Sequence, residues 1–215
     1  MALGTVTVPL ELRFDAGRIC LDLLATDHPE ERLDSVEVLR AWITGSGLVP
    51  PGTPLDHADH SWPPAFRELR DDTERLVEEA LRDAAGERAP EAGRPGDLAA
   101  LDRLDSTALT HLNSTARAAP PAPRAVRAPD GALVRELAGP PECAALLAAL
   151  ARDAVELLTD PVARGALRRC EGDSCPIVYL DTSRGRRRRW CSSEVCGNRE
   201  RVARHRRRAA ALARA

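Results

Sequence analysis

The chain has 215 residues and a formal net charge of −2, enough for one domain of ordinary size plus a small module. With 2 Phe, 1 Tyr, 1 Met and 3 Trp, any core must be built mostly from Leu, Val and Ala, and 17 Pro and 14 Gly imply many breaks between short elements. No apolar run approaches a membrane span, and the N-terminus lacks the basic start and apolar block of a signal peptide, so membrane insertion is excluded and a cytoplasmic, reducing setting is expected.

Taken from the N-terminus, "TVTVPLELRF" alternates as a strand or two interrupted by Pro9, and "GRICLDLLAT" reads as a short buried helix. "DSVEVLRAWITGSG" predicts a helix capped by Asp34 or Ser35. Its apolar stripe is Val38, Leu39, Trp42 and Ile43, and Gly45 or Gly47 ends it. After the loop "PPGTPLDHADHSWPP" comes the longest amphipathic helix, with Phe66, Leu69, Thr73, Leu76, Val77, Ala80 and Leu81 on one face. "ERAPEAGRPG" is a loop, and "DLAALDRLDSTALTHLNS" a further helix. A Pro-rich connector leads to a hairpin turning at Asp130-Gly131. "PPECAALLAALARDAVELLTD" is a strongly apolar helix whose alanines suit close packing against a neighbour. There is no internal repeat. The expected fold is α+β: a mainly helical N-terminal domain with a small β component over 1–163, and a small C-terminal module over 164–215.

Charge divides at the same place. Residues 164–215 carry 15 Arg against 5 acidic residues, net +10, whereas 1–163 carry 16 Arg against 28 acidic residues, net −12. Such asymmetry points to a basic module that meets a polyanion. All 31 basic residues are arginine, as a GC-rich coding bias would produce, so composition alone assigns them no role.

Inside the basic module Cys170, Cys175, Cys191 and Cys196 form C-x4-C-x15-C-x4-C. In a reducing setting clustered cysteines bind metal rather than pair as disulfides. Two close pairs give Zn²⁺ four tetrahedral thiolates at ~2.3 Å without long loops to close. The intervening "PIVYLDTSRGRRRRW" fits two short strands turning at "TSRG". Ser192 or Ser193 can then cap a helix that carries Cys196 in its first turns. This is a treble-clef-like finger of β-hairpin and helix, holding one Zn²⁺ per chain.

The four cysteines, Asp181, Ser183, the "RRWC" ending at Cys191, "CGNR" from Cys196 to Arg199 and the arginine-rich helix after it resemble the CGNR zinc finger of bacterial regulators that also carry an N-terminal ABATE domain. "FDAGRICLDLLAT" resembles the motif that opens that domain, usually L-D-F-V-N-T. Here Leu23, Leu24 and Ala25 stand where the family has phenylalanine, valine and asparagine. The resemblance implies a transcription regulator that binds DNA.

A four-thiolate zinc site is anionic, and Arg168, Arg169, Arg187 and Arg189 are candidates to compensate it. The remaining arginines exceed that need. On the last helix Arg201, Arg204 and Arg208 form one stripe, with Arg199 and Arg206 along another; Arg184 and Arg186 to Arg189 crowd the hairpin. Arginine pairs with phosphate and donates bidentately to guanine, so Arg184, Arg186, Arg187, Arg188, Arg189, Arg199, Arg201, Arg204 and Arg208 are the candidate nucleic-acid contacts. Asp22 either caps an element or lines a ligand pocket. His57 and His60 in "HADH" lack a third ligand, and Cys20 and Cys143 read as core residues. With no Walker loop, dinucleotide fingerprint, nucleophile elbow or HExxH, no catalytic residue is assigned and no enzyme is expected. Two other readings stay open: a zinc-stabilised module for an acidic protein partner, and an enzyme of unidentified reaction in 1–163. A small-molecule effector of the N-terminal domain and a homodimer are compatible with the sequence. So is a fold-back of the acidic domain onto the basic helix across a flexible "DPVARG" junction.

Overall fold

The computed structural model describes residues 12–85 and 95–212, with side chains described except at 95–105 and 208–212. Most of the predicted first strand, up to residue 11, and most of the "ERAPEAGRPG" loop lie outside the described residues. Residues 12–15 form no strand.

Two antiparallel hairpins and seven α-helices among the described residues make an α+β architecture. The first helix, α1 (Ile19–Leu24), buries five of its six residues and runs into a 3-10 turn at Ala25–Asp27. The Ser35 hydroxyl accepts the Val38 N–H and starts α2 (Val36–Gly45), which buries Leu39, Trp42 and Ile43. The long helix α3 (Trp62–Ala85) buries the predicted face from Phe66 to Ala80, and Phe66 meets Trp42 edge to face with ring centres 6.1 Å apart. Next, α4 (Pro95–Ala116) is unbroken and packs against both α3 and α5 (Cys143–Thr159). Ala148, Ala151 and Ala154 of α5 are buried, and their small side chains allow close packing. The hairpin of β1 (Pro123–Arg127) and β2 (Leu133–Leu137) turns at Asp130-Gly131 as predicted, with Gly131 at φ +88°.

The junction to the basic module is structured. Asp160 caps α6 (Pro161–Arg164) by accepting the Val162 N–H at 2.8 Å, and Pro161 opens it. Beyond it β3 (Leu167–Arg169) pairs antiparallel with β4 (Val178–Leu180). This departs from the predicted hairpin. β4 pairs back across the first cysteine pair, and the 186–190 arm is not a strand. The reason is apolar content: Val178, Tyr179 and Leu180 bury fully in this register, whereas five arginines beside the turn have no core to face. The last helix is α7 (Cys196–Leu212).

Leu167, Ile177, Tyr179 and Leu180 belong to the same apolar cluster as Leu21, Leu157 and Phe66. The Leu180 N–H donates to the Ala16 carbonyl at 2.7 Å, so the segment before α1 lies along β4. Gly17 permits this contact, with φ +91° and a position where a Cβ would fall 3.2 Å from the Leu180 oxygen. No helix among the described residues is long and apolar enough to cross a membrane.

Candidate metal centre and nucleic-acid interface

The four cysteines reach one point from four places: Cys170 directly after β3, Cys175 at the end of the loop that follows, Cys191 after the arm, and Cys196 at the start of α7. Ser174, at φ 62°, bends the loop so that the Cys175 N–H reaches the Gly172 carbonyl. A side chain on Gly172 would meet Cys170 Sγ and Cys196 Sγ at 3.4 and 3.5 Å, so the absent Cβ leaves room for the sulfurs. Ser192 caps the turn that leads into α7 rather than the helix itself: its hydroxyl accepts the N–H groups of Glu194 and Val195. That turn brings Cys196 around to face Cys191.

All four Sγ atoms lie within 4.8 Å of one another, and Cys191 Sγ is 3.6 Å from both Cys175 Sγ and Cys196 Sγ. A tetrahedron with ~2.3 Å metal–sulfur bonds has edges of about 3.8 Å, so the set fits one Zn²⁺. Cys170 Sγ accepts backbone N–H groups from Gly172 and Cys191, each at 3.4 Å. Hydrogen bonds of this kind offset thiolate charge.

Of the four arginines expected to compensate the site, Arg187 is exposed and the other three have other partners. Arg168 donates to the Gly165 and Leu167 carbonyls, Arg169 pairs with Glu78 of α3, and Arg189 pairs with Glu171. The guanidinium on a cluster sulfur is instead that of Arg13, whose Nη2 lies 3.3 Å from Cys191 Sγ. Sequence reasoning missed it. Its alternation with Asp15 hints at a shared face, but nothing local indicates a partner at the other end of the chain.

Arg188 also departs from expectation. Its guanidinium donates to the carbonyls of Asp15, Trp190 and Cys191 and lies 4.6 Å over the Tyr179 ring. The Tyr179 hydroxyl donates to the Arg188 carbonyl at 2.6 Å. Asp181, buried behind the turn, accepts the N–H groups of Ser183 and Arg188. Burial alone would raise its pKa, but these hydrogen bonds outweigh that and hold it below the ordinary carboxylate value. Arg188 is thus a fastener of the arm rather than an exposed contact.

Arg184, Arg186, Arg187, Arg199 and Arg204 are exposed and, with Arg206, carry no carboxylate partner among the described residues. Arg201 reaches the Ser193 carbonyl, and Arg207 pairs with Glu200. The Arg208 side chain lies outside those described. From Arg201 to Arg207 only Ala203 is partly covered, so α7 projects its charge into solvent. Polar contacts between the acidic and basic halves run through Arg13 to Gly17 and the Glu78–Arg169 pair, beside the shared apolar cluster; the predicted fold-back onto the basic helix is not seen among the described residues.

Asp22 is buried, and its carboxylate accepts the Ala16 N–H at 2.9 Å, which secures the strap before α1. Burial pushes its pKa up to about 7. His57 Nε2 donates to the Pro141 carbonyl at 2.9 Å rather than facing His60 across a metal. Cys20 is a core residue, and Cys143 is half-buried. A cleft of about 490 Å³ separates Leu12 to Asp15 from Cys175, Cys196 and Arg199.

Two family profiles match this chain. The ABATE profile, described as "Putative stress-induced transcription regulator", matches residues 17–161, and the profile described as "CGNR zinc finger" matches residues 166–209. Comparison with curated proteins returns no match.

Proposed function

The chain belongs to the ABATE family and ends in a CGNR zinc finger, and from this premise we propose that it is a transcription regulator that binds DNA through the finger. The family description names a transcription regulator and not an enzyme. The carrying observation is the set of arginines without carboxylate partners: Arg184, Arg186 and Arg187 on the turn, and Arg199, Arg204 and Arg206 on α7. They are mounted on both sides of one four-cysteine centre. Exposed guanidinium groups pair with phosphates, and a helix fits the major groove.

In this reading residues 1–163 are the regulatory domain and 164–215 the DNA-binding module, with Cys170, Cys175, Cys191 and Cys196 as the zinc ligands. The cleft between the strap and the finger supports an effector that touches both halves, because Arg13 and Arg199 border it together. A homodimer would double the phosphate contacts. Titrating zinc-loaded full-length protein with labelled duplex DNA, single-stranded DNA and an acidic peptide tests the proposal. Preference for duplex supports it, and binding to the peptide alone would transfer the finger to protein recognition.

A further inference from the structure

The strap before α1 is held from two directions. On one side Asp22 takes the Ala16 N–H. On the other the finger takes the Ala16 carbonyl through Leu180 and the Asp15 carbonyl through Arg188. Arg13 sits at the end of this strap, and its Nη2 donates to both Asp15 carboxylate oxygens, at 3.1 and 2.8 Å, and to Cys191 Sγ at 3.3 Å. Its side chain is only 17% exposed, so water screens the contact weakly. Cys170 has two backbone N–H groups to delocalise thiolate charge. For Cys191 the corresponding donor comes from outside the finger.

We propose that Arg13 is an outer-sphere partner of the metal-bound Cys191 thiolate, so that zinc retention by the finger depends on a residue of the N-terminal strap. A thiolate relieved of charge by a guanidinium is less basic and is less readily protonated or alkylated off its metal. Asp15 aims the guanidinium, and the strap contacts fix Asp15. Coupling of this kind is reciprocal: an occupied metal site orders the strap, and an ordered strap holds the metal.

The test uses full-length, zinc-loaded protein carrying Arg13→Gln or Arg13→Lys. Zinc transfer to an excess of a chromophoric chelator is followed in time, and the order of cysteine alkylation by N-ethylmaleimide is mapped by mass spectrometry. Zinc release should accelerate by about 10-fold or more in Arg13→Gln, the range seen when outer-sphere partners are removed. Arg13→Lys keeps the charge without the fork and should recover part of the loss. Cys191 should become the first of the four to be alkylated. Release at the unaltered rate overturns the proposal, and so does equal acceleration at all four cysteines, which would mark Arg13 as a general stabiliser only.

Discussion

Gly17 packs tightly on Leu180: a Cβ at Gly17 would fall 3.2 Å from the Leu180 carbonyl oxygen and 3.3 Å from its Cβ. Because Gly17 also holds φ +91°, Gly17→Ala combines left-handed strain with a tight contact that Leu180 must relieve by a small shift. The strain alone should cost about 1–3 kcal/mol, and roughly 2–4 °C of Tm accompanies each kcal/mol in a chain of this size. Calorimetry of the zinc-loaded variant should show a drop of at least a few degrees; an unchanged Tm would mean the strap is not seated on β4.

Loss of the metal should be felt on both sides of the Gly17 contact. Cys191→Ser should abolish stoichiometric zinc by elemental analysis, since binding free energy supplies folding free energy in small four-thiolate modules. Leu167, Tyr179 and Leu180 share their apolar cluster with Leu21 and Leu157, so the helical part should lose stability as well. The expected melt is one broadened transition at lower temperature. Two separate transitions, the second at the original temperature, would show that the halves fold independently.

Arginine substitutions should separate into two classes. Six phosphate contacts give a log–log slope of affinity against salt of about −5, at ~0.9 per contact on duplex DNA. Replacing Arg199, Arg204 and Arg206 with Ala should flatten that slope by roughly 3 while leaving Tm and zinc content alone. Arg188→Ala should do the reverse, because its guanidinium serves the arm and the Asp15 carbonyl. A slope change from Arg188→Ala at constant Tm would contradict the assignment.

Stability should also carry a signature of Asp22. Burial raises its pKa from 3.8 to about 7, with Asp15 and Asp153 adding to the shift and the Ala16 N–H and Arg13 opposing it. The native state therefore binds the proton more tightly than the unfolded chain between those values. Stability from this group is greatest at the acid end and is lost as pH rises from about 4 to about 7, at up to ~1.4 kcal/mol per pH unit. Asp22→Asn keeps an acceptor for Ala16 and should remove this component. Denaturant melts at several pH values would show it as a flatter profile than the parent's; parallel profiles would mean Asp22 is charged throughout.

Local pattern disclosed the helices and the metal ligands. The α2 stripe, the α3 face, the Asp130-Gly131 turn and the four-cysteine spacing are each set within a few residues, by periodicity, turn chemistry or thiolate geometry. Strand pairing in the finger was not legible, because "LRR" and the arginine arm compete to pair with "VYL" and only the shared core decides between them. Arg188 and Arg189 are adjacent in a run of four, yet one is built into the arm and the other pairs at the surface. Composition cannot tell them apart. Arg13 was hidden for a different reason: its partner is remote in sequence.

That remoteness sets an order of events during synthesis. Arg13 and Cys191 are 178 positions apart, and at ~5–20 residues per second the ribosome needs on the order of ten to forty seconds to bridge that interval. The strap therefore leaves the exit tunnel long before β4 exists to receive it, and its docking waits on closure of a long loop. Local helices such as α3 can form meanwhile. The metal site becomes complete, outer shell included, only once Cys191 and Cys196 have emerged, which makes the capped zinc centre a marker of a chain synthesised through its finger.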